Sequence, residues 1–474
     1  MSLHALKVAA LDAAELSPAT NEAVLRRLPA LPEAFDSDAM RASLGRALTG
    51  SPGGIVRCES AGATYLPSAG CALRYDIEIV DARGEATATV VNARLFESGL
   101  EATRYARGRL APLARRLAGR AEAMPFSMPV VCVEEMHMAL SVFPVDGDLP
   151  TLVDAADPRR VGSLLAGVLP DAPAAWSVSL VRYARGHRCV LRYVSGGHVV
   201  IGKVIGNGIG GQAHTALRAL AAGLNAAERP RPHINVPRSL GYDSTLRLLL
   251  LAPVAGDPVY SKQLKEYLRG ESPDDRAAVS AVTSCAEIAA GLHAGPVTAV
   301  RERRPGVDLA RIFTSAIDVE RVAPGLGHWL REAAEAVAMR LRDTEALDIC
   351  LCHGDFKHNQ VLGEGIGSTL VDFDTACRAE PALDLGQFLA YLRLKGAEFG
   401  AEEVAERLAA RFIAAYAAAA NLTSAQSDRL AARTAAFEAL SLVGRAVHSW
   451  HKFKPDRLVA VMNVLDQRLA SEKP

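Results

Sequence analysis

Three oxygen-bearing side chains follow one another within a short part of the sequence: Asp355, Gln360 and Asp372. The first lies in the segment HGDFKHNQVL, and the last ends the apolar run TLV. Carboxylate and amide oxygens are the hard ligands that Mg²⁺ prefers. A loop with apolar anchors on both sides can leave Asp355 free for a substrate hydroxyl while the other oxygens hold a metal ion. The spacing therefore predicts metal-assisted chemistry at a hydroxyl group.

The order His-Gly-Asp, an amide residue five positions after the aspartate, and a later Val-Asp-Phe-Asp resembles the signature of the aminoglycoside phosphotransferase and choline kinase family. The resemblance implies a protein-kinase-like bilobal fold of the α+β class and transfer of phosphate from ATP, with Mg²⁺, to a small-molecule hydroxyl. By position, Asp355 resembles the catalytic aspartate that orients the hydroxyl and accepts its proton. Asp372 resembles the aspartate that binds Mg²⁺.

The amide residue departs from the family pattern. The family usually has Asn at this place, whereas this chain has Gln360, with Asn359 one residue earlier. Gln here resembles the maltokinase branch of the family. We expect Gln360 to be a metal residue, with Asn359 as the alternative, and Asp374 is either a second carboxylate near the metal or a turn residue.

The nucleotide-binding residues that the resemblance implies lie earlier in the chain. Lys203, in HVVIGKVI, stands where the family places its ATP lysine, and Arg185 and Gly186 belong to the turn that would cover the nucleotide. Backbone groups of Ala252 and Val254 would bind the adenine edge.

The lysine's usual acidic partner is missing from the sequence. No acidic residue follows Lys203 until Glu228, so the next helix offers only Gln212 or His214. Two further residues are expected to support the loop of Asp355. His353 would pack in the core rather than act as a base, and Asp384 would brace the loop by hydrogen bonds.

Elements of two kinds must position these residues. Before about residue 260, short β-like runs alternate with turns, and afterwards apolar residues recur at helical spacing, except in one β-like island, TLVDFD. The first half also repeats itself: YLPSAGCALRY matches YARGHRCVLRY, and FPVDGD matches APVAGD. We interpret the repeat as two copies of a unit with a hairpin, a third strand, a helix and a final strand.

The repeat predicts three domains. Residues 1–160 would form an N-terminal cap that duplicates the N-lobe, residues 161–258 the β-rich N-lobe, and residues 259–474 a helical C-lobe with the catalytic loop and the acceptor site. Arg94 takes the place of Lys203 in the first copy. Because arginine does not readily replace a lysine on ATP phosphates, we regard the cap as degenerate, with packing, homodimerisation or gating as its role.

Composition excludes several other functions. Lys plus Arg and Asp plus Glu both number 53, so no global charge attracts nucleic acid or a membrane surface. The eight cysteines show neither zinc-site nor disulfide spacing. The N-terminus does not resemble a signal peptide, and no apolar run is long enough to span a bilayer. We therefore expect a cytoplasmic protein without nucleic-acid or membrane partners.

The acceptor is the least defined part of the prediction. The segment RAVHSWHKFKPDR is basic, which disfavours a polycationic aminoglycoside and favours a sugar, a sugar phosphate or a related hydroxyl compound. Trp450 either stacks on a sugar ring or lies buried in a helix. The alternative to a kinase is a catalytically weak, pseudokinase-like nucleotide-binding or scaffold protein. A protein kinase is disfavoured because the HRD, DFG and APE motifs are missing.

Overall fold

The computed structural model describes residues 11–51, 53–80, 85–120, 126–173, 175–206, 209–225, 234–296, 300–363 and 368–470. Residues 1–10, which belong to the segment judged not to be a signal peptide, lie outside these ranges, as does Glu228. No helix in the described ranges is long and apolar enough to cross a bilayer.

The first part of the chain forms a five-stranded antiparallel sheet with short helices around it. The strands are β1 (Ile55–Leu66), β2 (Gly70–Val80), β3 (Ala86–Leu95), β4 (Val130–Val133) and β5 (Met138–Val142), in the order β1-β2-β3-β5-β4. These helices are α1 (Glu22–Arg27), α2 (Leu31–Phe35), α3 (Ser37–Leu44), α4 (Gly99–Tyr105) and α5 (Ala111–Ala114). Two more, α6 (Leu152–Ala155) and α7 (Pro158–Val168), pack on the sheet that follows. Burial alternates along β2, so one face of the sheet packs on the core.

A second five-stranded sheet follows. Its strands are β6 (Ser177–Ala184), β7 (Arg188–Ser195), β8 (His198–Ile205), β9 (Ser239–Asp243) and β10 (Leu248–Leu251), and α8 (Gly210–Asn225) lies between β8 and β9. The order β6-β7-β8-β10-β9 repeats that of the first sheet.

The register of the two sheets relates Arg94 to Lys203. Arg94 in β3 pairs with Ala72, and Lys203 in β8 pairs with Val190, at equivalent positions of the repeat. The predicted unit was nevertheless one strand short, because β4 and β9 each pair with the last strand of their sheet. Both strands are short and lack regular alternation of apolar and polar residues, so periodicity did not reveal them.

The second half of the chain is helical, as predicted. Its helices are α9 (Val259–Leu268), α10 (Arg276–His293), α11 (Pro305–Glu320), α12 (Pro324–Asp343), α13 (Ala382–Glu398), α14 (Glu402–Ala419), α15 (Ser424–His451) and α16 (Pro455–Ala470). Thr423 and Gln426 form a capping box that fixes the start of α15.

Four short strands lie between α12 and α13. They are β11 (Cys350–Cys352), β12 (Val361–Leu362), β13 (Thr369–Leu370) and β14 (Cys377–Ala379), paired as β11 with β14 and β12 with β13. The predicted island TLVDFD was therefore wrong in extent, since only its first two residues are in a strand. The paired strands enclose the two loops that carry Asp355 and Asp372.

One hydrophobic core joins the first sheet to the helical half. It includes Tyr65 from β1 and Trp450 from α15, whose rings meet edge to face with centroids 5.4 Å apart. Trp450 is fully buried, and its indole Nε1 donates to the Glu15 carbonyl at 2.9 Å. The sugar-stacking alternative for Trp450 is therefore wrong, because this side chain belongs to the core.

Candidate active site

Two side chains of α13 hold the loop between β11 and β12. The Asp384 carboxylate accepts hydrogen bonds from the amides of His353, at 2.7 Å, and Gly354, at 2.8 Å. Gln387 donates to the Gly354 carbonyl at 2.9 Å. These bonds brace the loop as the resemblance implied for Asp384, while Gln387 had not been singled out.

Buried polar contacts keep Asp384 ionised. Burial alone would raise its pKa, but the His293 imidazole and the donors of His353 outweigh burial and hold the pKa of Asp384 below its usual range. His293, Cys350 and Cys352 lie close enough to share a metal ion. However, the His293 ring nitrogens already contact Asp384 at 3.2 Å and the Tyr416 hydroxyl at 2.8 Å, so this cluster is better explained as structural.

The His353 ring lies in the core, as expected. Its Nε2 is 2.9 Å from the Val371 carbonyl, and its ring packs against that of Phe373 with centroids 5.0 Å apart. A ring fixed in this way joins the loop of Asp355 to the loop of Asp372. This arrangement supports a structural role for His353 rather than general-base chemistry.

Asp355 faces a cleft of about 760 Å³, and its side chain is 40% exposed. Its Oδ2 accepts from Lys357 Nζ at 2.7 Å and from Gln360 Nε2 at 3.3 Å. A carboxylate in this position can meet a hydroxyl that enters from the cleft. Lys357 was missed from the sequence, although it stands only two residues after Asp355.

Gln360 and Asn359 point to different environments. Gln360 is buried, and its Oε1 has no hydrogen-bond partner in the described ranges. The Val371 amide donates to the Gln360 carbonyl at 2.8 Å, which places Gln360 beside Asp372. Asn359 is exposed and lines the cleft. A buried amide oxygen without a donor, next to a carboxylate, fits a magnesium ligand, so the geometry favours Gln360 over Asn359.

Two carboxylates of the helical half meet two cations of the second sheet. Lys203 Nζ lies 2.7 Å from Asp372 Oδ1 and 3.0 Å from Asp374 Oδ1. Arg188 Nη1 lies 2.8 Å from Asp372 Oδ1 and 3.0 Å from Asp374 Oδ2. Asp372 adopts a left-handed backbone conformation, with φ of 75°, which is uncommon outside glycine and often accompanies function.

The charges of this cluster stabilise one another. Burial would raise the pKa of Asp372, but the Lys203 ammonium and the Arg188 guanidinium outweigh it and hold that pKa well below its usual range. Burial would lower the pKa of Lys203, but Asp374 and Asp372 raise it. Asp372 and Lys203 are therefore ionised near neutral pH.

The partner of Lys203 differs from the two residues that the sequence offered. His214 Nδ1 lies 2.8 Å from the Ser239 hydroxyl, and Lys203 is positioned by Asp372 and Asp374 instead of by α8. Arg188 was missed because nothing in its local sequence distinguishes it from other basic residues on strands.

The turn between β6 and β7 contacts Asp146, which follows the last strand of the first sheet. The Gly186 amide and the Tyr183 hydroxyl both donate to Asp146 Oδ2, at 2.8 and 2.6 Å. Arg185 is half-buried, with Asp146 and Asp148 as its nearby acidic groups. Because the Gly186 amide already donates to Asp146, it is not free for a phosphate. The nucleotide role of Arg185 and Gly186 stays a prediction.

The predicted adenine-binding segment is only partly available. The Ala252 amide donates to the Arg238 carbonyl at 2.9 Å, which leaves the Ala252 carbonyl for a ligand. No hydrogen bond to the Val254 amide is found within the described residues. Val254 therefore remains the better candidate donor of the two.

Comparison with protein-family models matches residues 209–425 to the phosphotransferase enzyme family. This matched part, slightly less than half of the chain, is similar to that family. The matched region begins at α8 and includes the loops of Asp355 and Asp372 and the bracing helix α13. A search of curated proteins found none that matches.

Several solved structures are similar to the chain. The GDP complex of an aminoglycoside 2'-phosphotransferase-IIIa mutant has 17% identity, covers 66% of this chain and 98% of its own, and has a TM-score of 0.43. The choline kinase of Streptococcus pneumoniae has 15% identity, coverage of 66% and 98%, and a TM-score of 0.42. The ethanolamine kinase of Plasmodium vivax has 12% identity, coverage of 62% and 82%, and a TM-score of 0.42. The strands of the first half and the helices of the second half confirm the α+β class.

Proposed function

We propose that this phosphotransferase moves the γ-phosphoryl group of ATP, with Mg²⁺, to a hydroxyl group of a small molecule. A single chain of contacts carries the proposal. Asp355 opens to the cleft and contacts Gln360, the Gln360 backbone is bonded to Val371, and the next residue, Asp372, contacts Lys203. Residues suited to the acceptor, the metal ion and the nucleotide phosphates thus lie next to one another.

In the proposed reaction, the acceptor hydroxyl oxygen forms a bond to the γ-phosphorus as the bond from that phosphorus to the β,γ-bridging oxygen breaks. Asp355 orients the hydroxyl and takes its proton, and ADP is the leaving group. Catalysis of this kind depends on positioning and on fixed charge rather than on a covalent enzyme intermediate. The bonds from Asp384 and Gln387 to the loop supply that positioning.

The phosphate charges would be balanced by groups behind Asp355. Gln360 and Asp372, with Asp374 nearby, would hold Mg²⁺, which neutralises phosphate charge when bound. Lys203 and Arg188 supply fixed positive charge on the opposite side of the carboxylates. The Val254 amide and the Ala252 carbonyl are the backbone groups that we assign to the adenine.

We propose the domain division 1–160, 161–258 and 259–474. The cap packs on both other parts of the molecule, through Asp146 to the second sheet and through Trp450 to the helices. This supports a packing role, and homodimerisation through the cap stays a prediction. A cytoplasmic location also stays a prediction.

No observation favours the pseudokinase-like alternative. A carboxylate open to a cleft and a buried amide oxygen without a donor are features that an inactive scaffold does not need. A sugar or a related hydroxyl compound suits the basic cleft better than a polycationic aminoglycoside does.

The test is Mg²⁺-dependent consumption of ATP by the purified protein across sugars, sugar phosphates, hydroxy acids, amino alcohols and aminoglycosides. Asp355→Asn is the matched variant, because it preserves shape and removes the proton acceptor. We expect it to keep ATP affinity and to lose turnover by about 10²-fold or more. Wild-type turnover in this variant would remove Asp355 from its role, and ATP binding without any transfer would support the pseudokinase-like alternative.

A further inference from the structure

The cleft beside Asp355 contains more positive than negative charge. Two carboxylates line it, those of Asp308 and Asp355. Six basic side chains line it: Arg182, Arg303, Arg311, Lys357, Arg445 and Arg457. At about 760 Å³, the cleft is in the size range of small-molecule sites. Its charge therefore bears directly on what it binds.

Both carboxylates already have basic partners. Arg303 Nε lies 2.8 Å from Asp308 Oδ2, and Arg303 also donates to the Gly354 carbonyl at 2.9 Å. Lys357 Nζ lies 2.7 Å from Asp355 Oδ2. These two cations support the catalytic loop, so the excess charge belongs to other residues.

Of the other four cations, Arg182 and Arg311 are exposed, whereas Arg445 and Arg457 are half-buried. Arg445 lies over the Tyr391 ring, 5.5 Å from its centroid, and its Nε donates to the Ser441 hydroxyl at 3.3 Å. The buried Nε of Arg457 has no hydrogen-bond partner in the described ranges. Neither guanidinium forms a salt bridge with a described carboxylate. Burial lowers the pKa of Arg445; the Asp355 carboxylate acts in the opposite direction, and the charge of Arg457 adds to the lowering.

His448, which also lines the cleft, has a lowered pKa to which the charges of these residues contribute. Burial of the ring lowers its pKa to about 4, and the charges of Lys452, Arg457, Lys454 and Arg445 all act in the same direction. Buried cations that repel one another are costly unless a ligand or another group compensates them. Guanidinium groups match phosphate and carboxylate in charge and in planar hydrogen-bond geometry.

We propose that the acceptor carries a phosphate or carboxylate group, which binds Arg445 and Arg457 while the acceptor's hydroxyl meets Asp355. This substrate class rests on the phosphotransferase function proposed above. The acceptor is thus an anionic hydroxyl compound, either a phosphorylated sugar or polyol or a hydroxy acid.

Matched sets of ligands test this proposal by binding, without need of turnover. Each set contains a neutral compound, its phosphate ester and its carboxylate: glycerol, glycerol phosphate and glycerate, or ribose, ribose phosphate and ribonate. Binding is measured by calorimetry with the nucleotide site saturated by a non-hydrolysable ATP analogue and Mg²⁺, and again without nucleotide. We expect one anionic member to bind about 10-fold or more tightly than its neutral partner, since one charge-assisted contact contributes that much.

Substitutions test whether Arg445 and Arg457 cause the preference for the anionic ligand. Arg457→Gln and, separately, Arg445→Gln should reduce the preference for the anion by about 10-fold, while Arg407→Gln, on an exposed face of α14, should leave it unchanged. Thermal unfolding identifies a variant that fails to fold, and the variant that folds then decides.

Equal binding within every set, a preference for the neutral member, or no binding of any anionic member would overturn the proposal. The phosphate and carboxylate arms distinguish the two kinds of anion. Transfer to a neutral acceptor would overturn this proposal and leave the phosphotransferase function intact. If anions bind at Arg445 and Arg457 but no phosphate is transferred to any of them, the anion site would stand and the phosphotransferase function would be overturned.

Discussion

The Nζ atom of Lys203 lies 2.7 Å from the Oδ1 atom of Asp372, although 169 residues separate them in the chain. One residue belongs to the second sheet and the other to a loop of the helical half. Both side chains are largely buried, so the contact is shielded from solvent and screened little by salt. It holds the sheet against the loop at the point where we place the nucleotide phosphates.

Replacing Lys203 should impair catalysis more than folding. Lys203→Met removes the charge that we assign to the phosphates, while Arg188 still pairs with Asp372. We expect kcat/KM for ATP to fall by about 10²-fold, the usual loss for one preorganised charged donor, with the fold retained. Steady-state ATP consumption measures the loss, and circular dichroism checks the fold. Lys262→Met, at an exposed position, is the control, and undiminished turnover in Lys203→Met would contradict the assignment.

Two substitutions decide whether Gln360 or Asn359 is the magnesium ligand. Gln360→Leu removes the buried amide oxygen with little change in volume, whereas Asn359→Leu removes an exposed amide one residue away. We expect Gln360→Leu to raise the Mg²⁺ concentration for half-maximal activity by about 10-fold or more, and Asn359→Leu to change it little. Magnesium titrations at saturating ATP make the comparison. The reverse result would assign the metal to Asn359.

Most of the catalytic loop could be predicted because its residues are close in sequence. Asp355, Gln360, Asp372 and Asp384 all lie between the end of α12 and the first turn of α13. One loop and the β12–β13 hairpin hold most of these residues, and the local sequence determines both. Lys203 could be placed because HVVIGKVI resembles the strand on which the family carries its ATP lysine, and this segment forms β8.

Contacts between distant parts of the chain could not be predicted in this way. Arg188 reaches Asp372 across 184 residues, and Asp146 reaches Gly186 from the other sheet. Such pairs depend on how the sheets and helices pack. The local sequence around a basic residue on a strand does not show whether that residue contacts an acidic partner or solvent. Arg445 and Arg457 likewise line the same cleft only because α15 and α16 pack beside it.

Acid should destabilise the protein partly through His358. This imidazole is 2% exposed, and burial lowers its pKa to about 3, with nearby lysines adding to the effect. In the unfolded chain the pKa of histidine is about 6.5, so the unfolded state binds the proton more readily. The stabilising contribution is therefore complete above about pH 6.5 and is lost as the pH falls toward 3.

Urea unfolding from pH 7 to pH 4 tests this dependence. The His358 contribution to the free energy of unfolding should fall by up to about 1.4 kcal/mol per pH unit. His358→Leu removes the titrating group, so its stability should decline less steeply than that of the wild type. Parallel curves for the two proteins would show that His358 does not titrate as proposed.

Asp146 connects the cap to the turn that precedes Arg188. It is 1% exposed, and its Oδ2 is the acceptor for both the Tyr183 hydroxyl and the Gly186 amide. Asp146→Ala leaves these donors without that acceptor, which should lower the free energy of unfolding by about 1–3 kcal/mol. Because the turn leads directly into Arg188, we also expect a higher KM for ATP. Denaturant unfolding and steady-state kinetics measure the two effects, with the exposed Asp171→Ala as control. Lower stability with an unchanged KM would limit Asp146 to packing, whereas a change in both would show that the cap positions the nucleotide side of the active site.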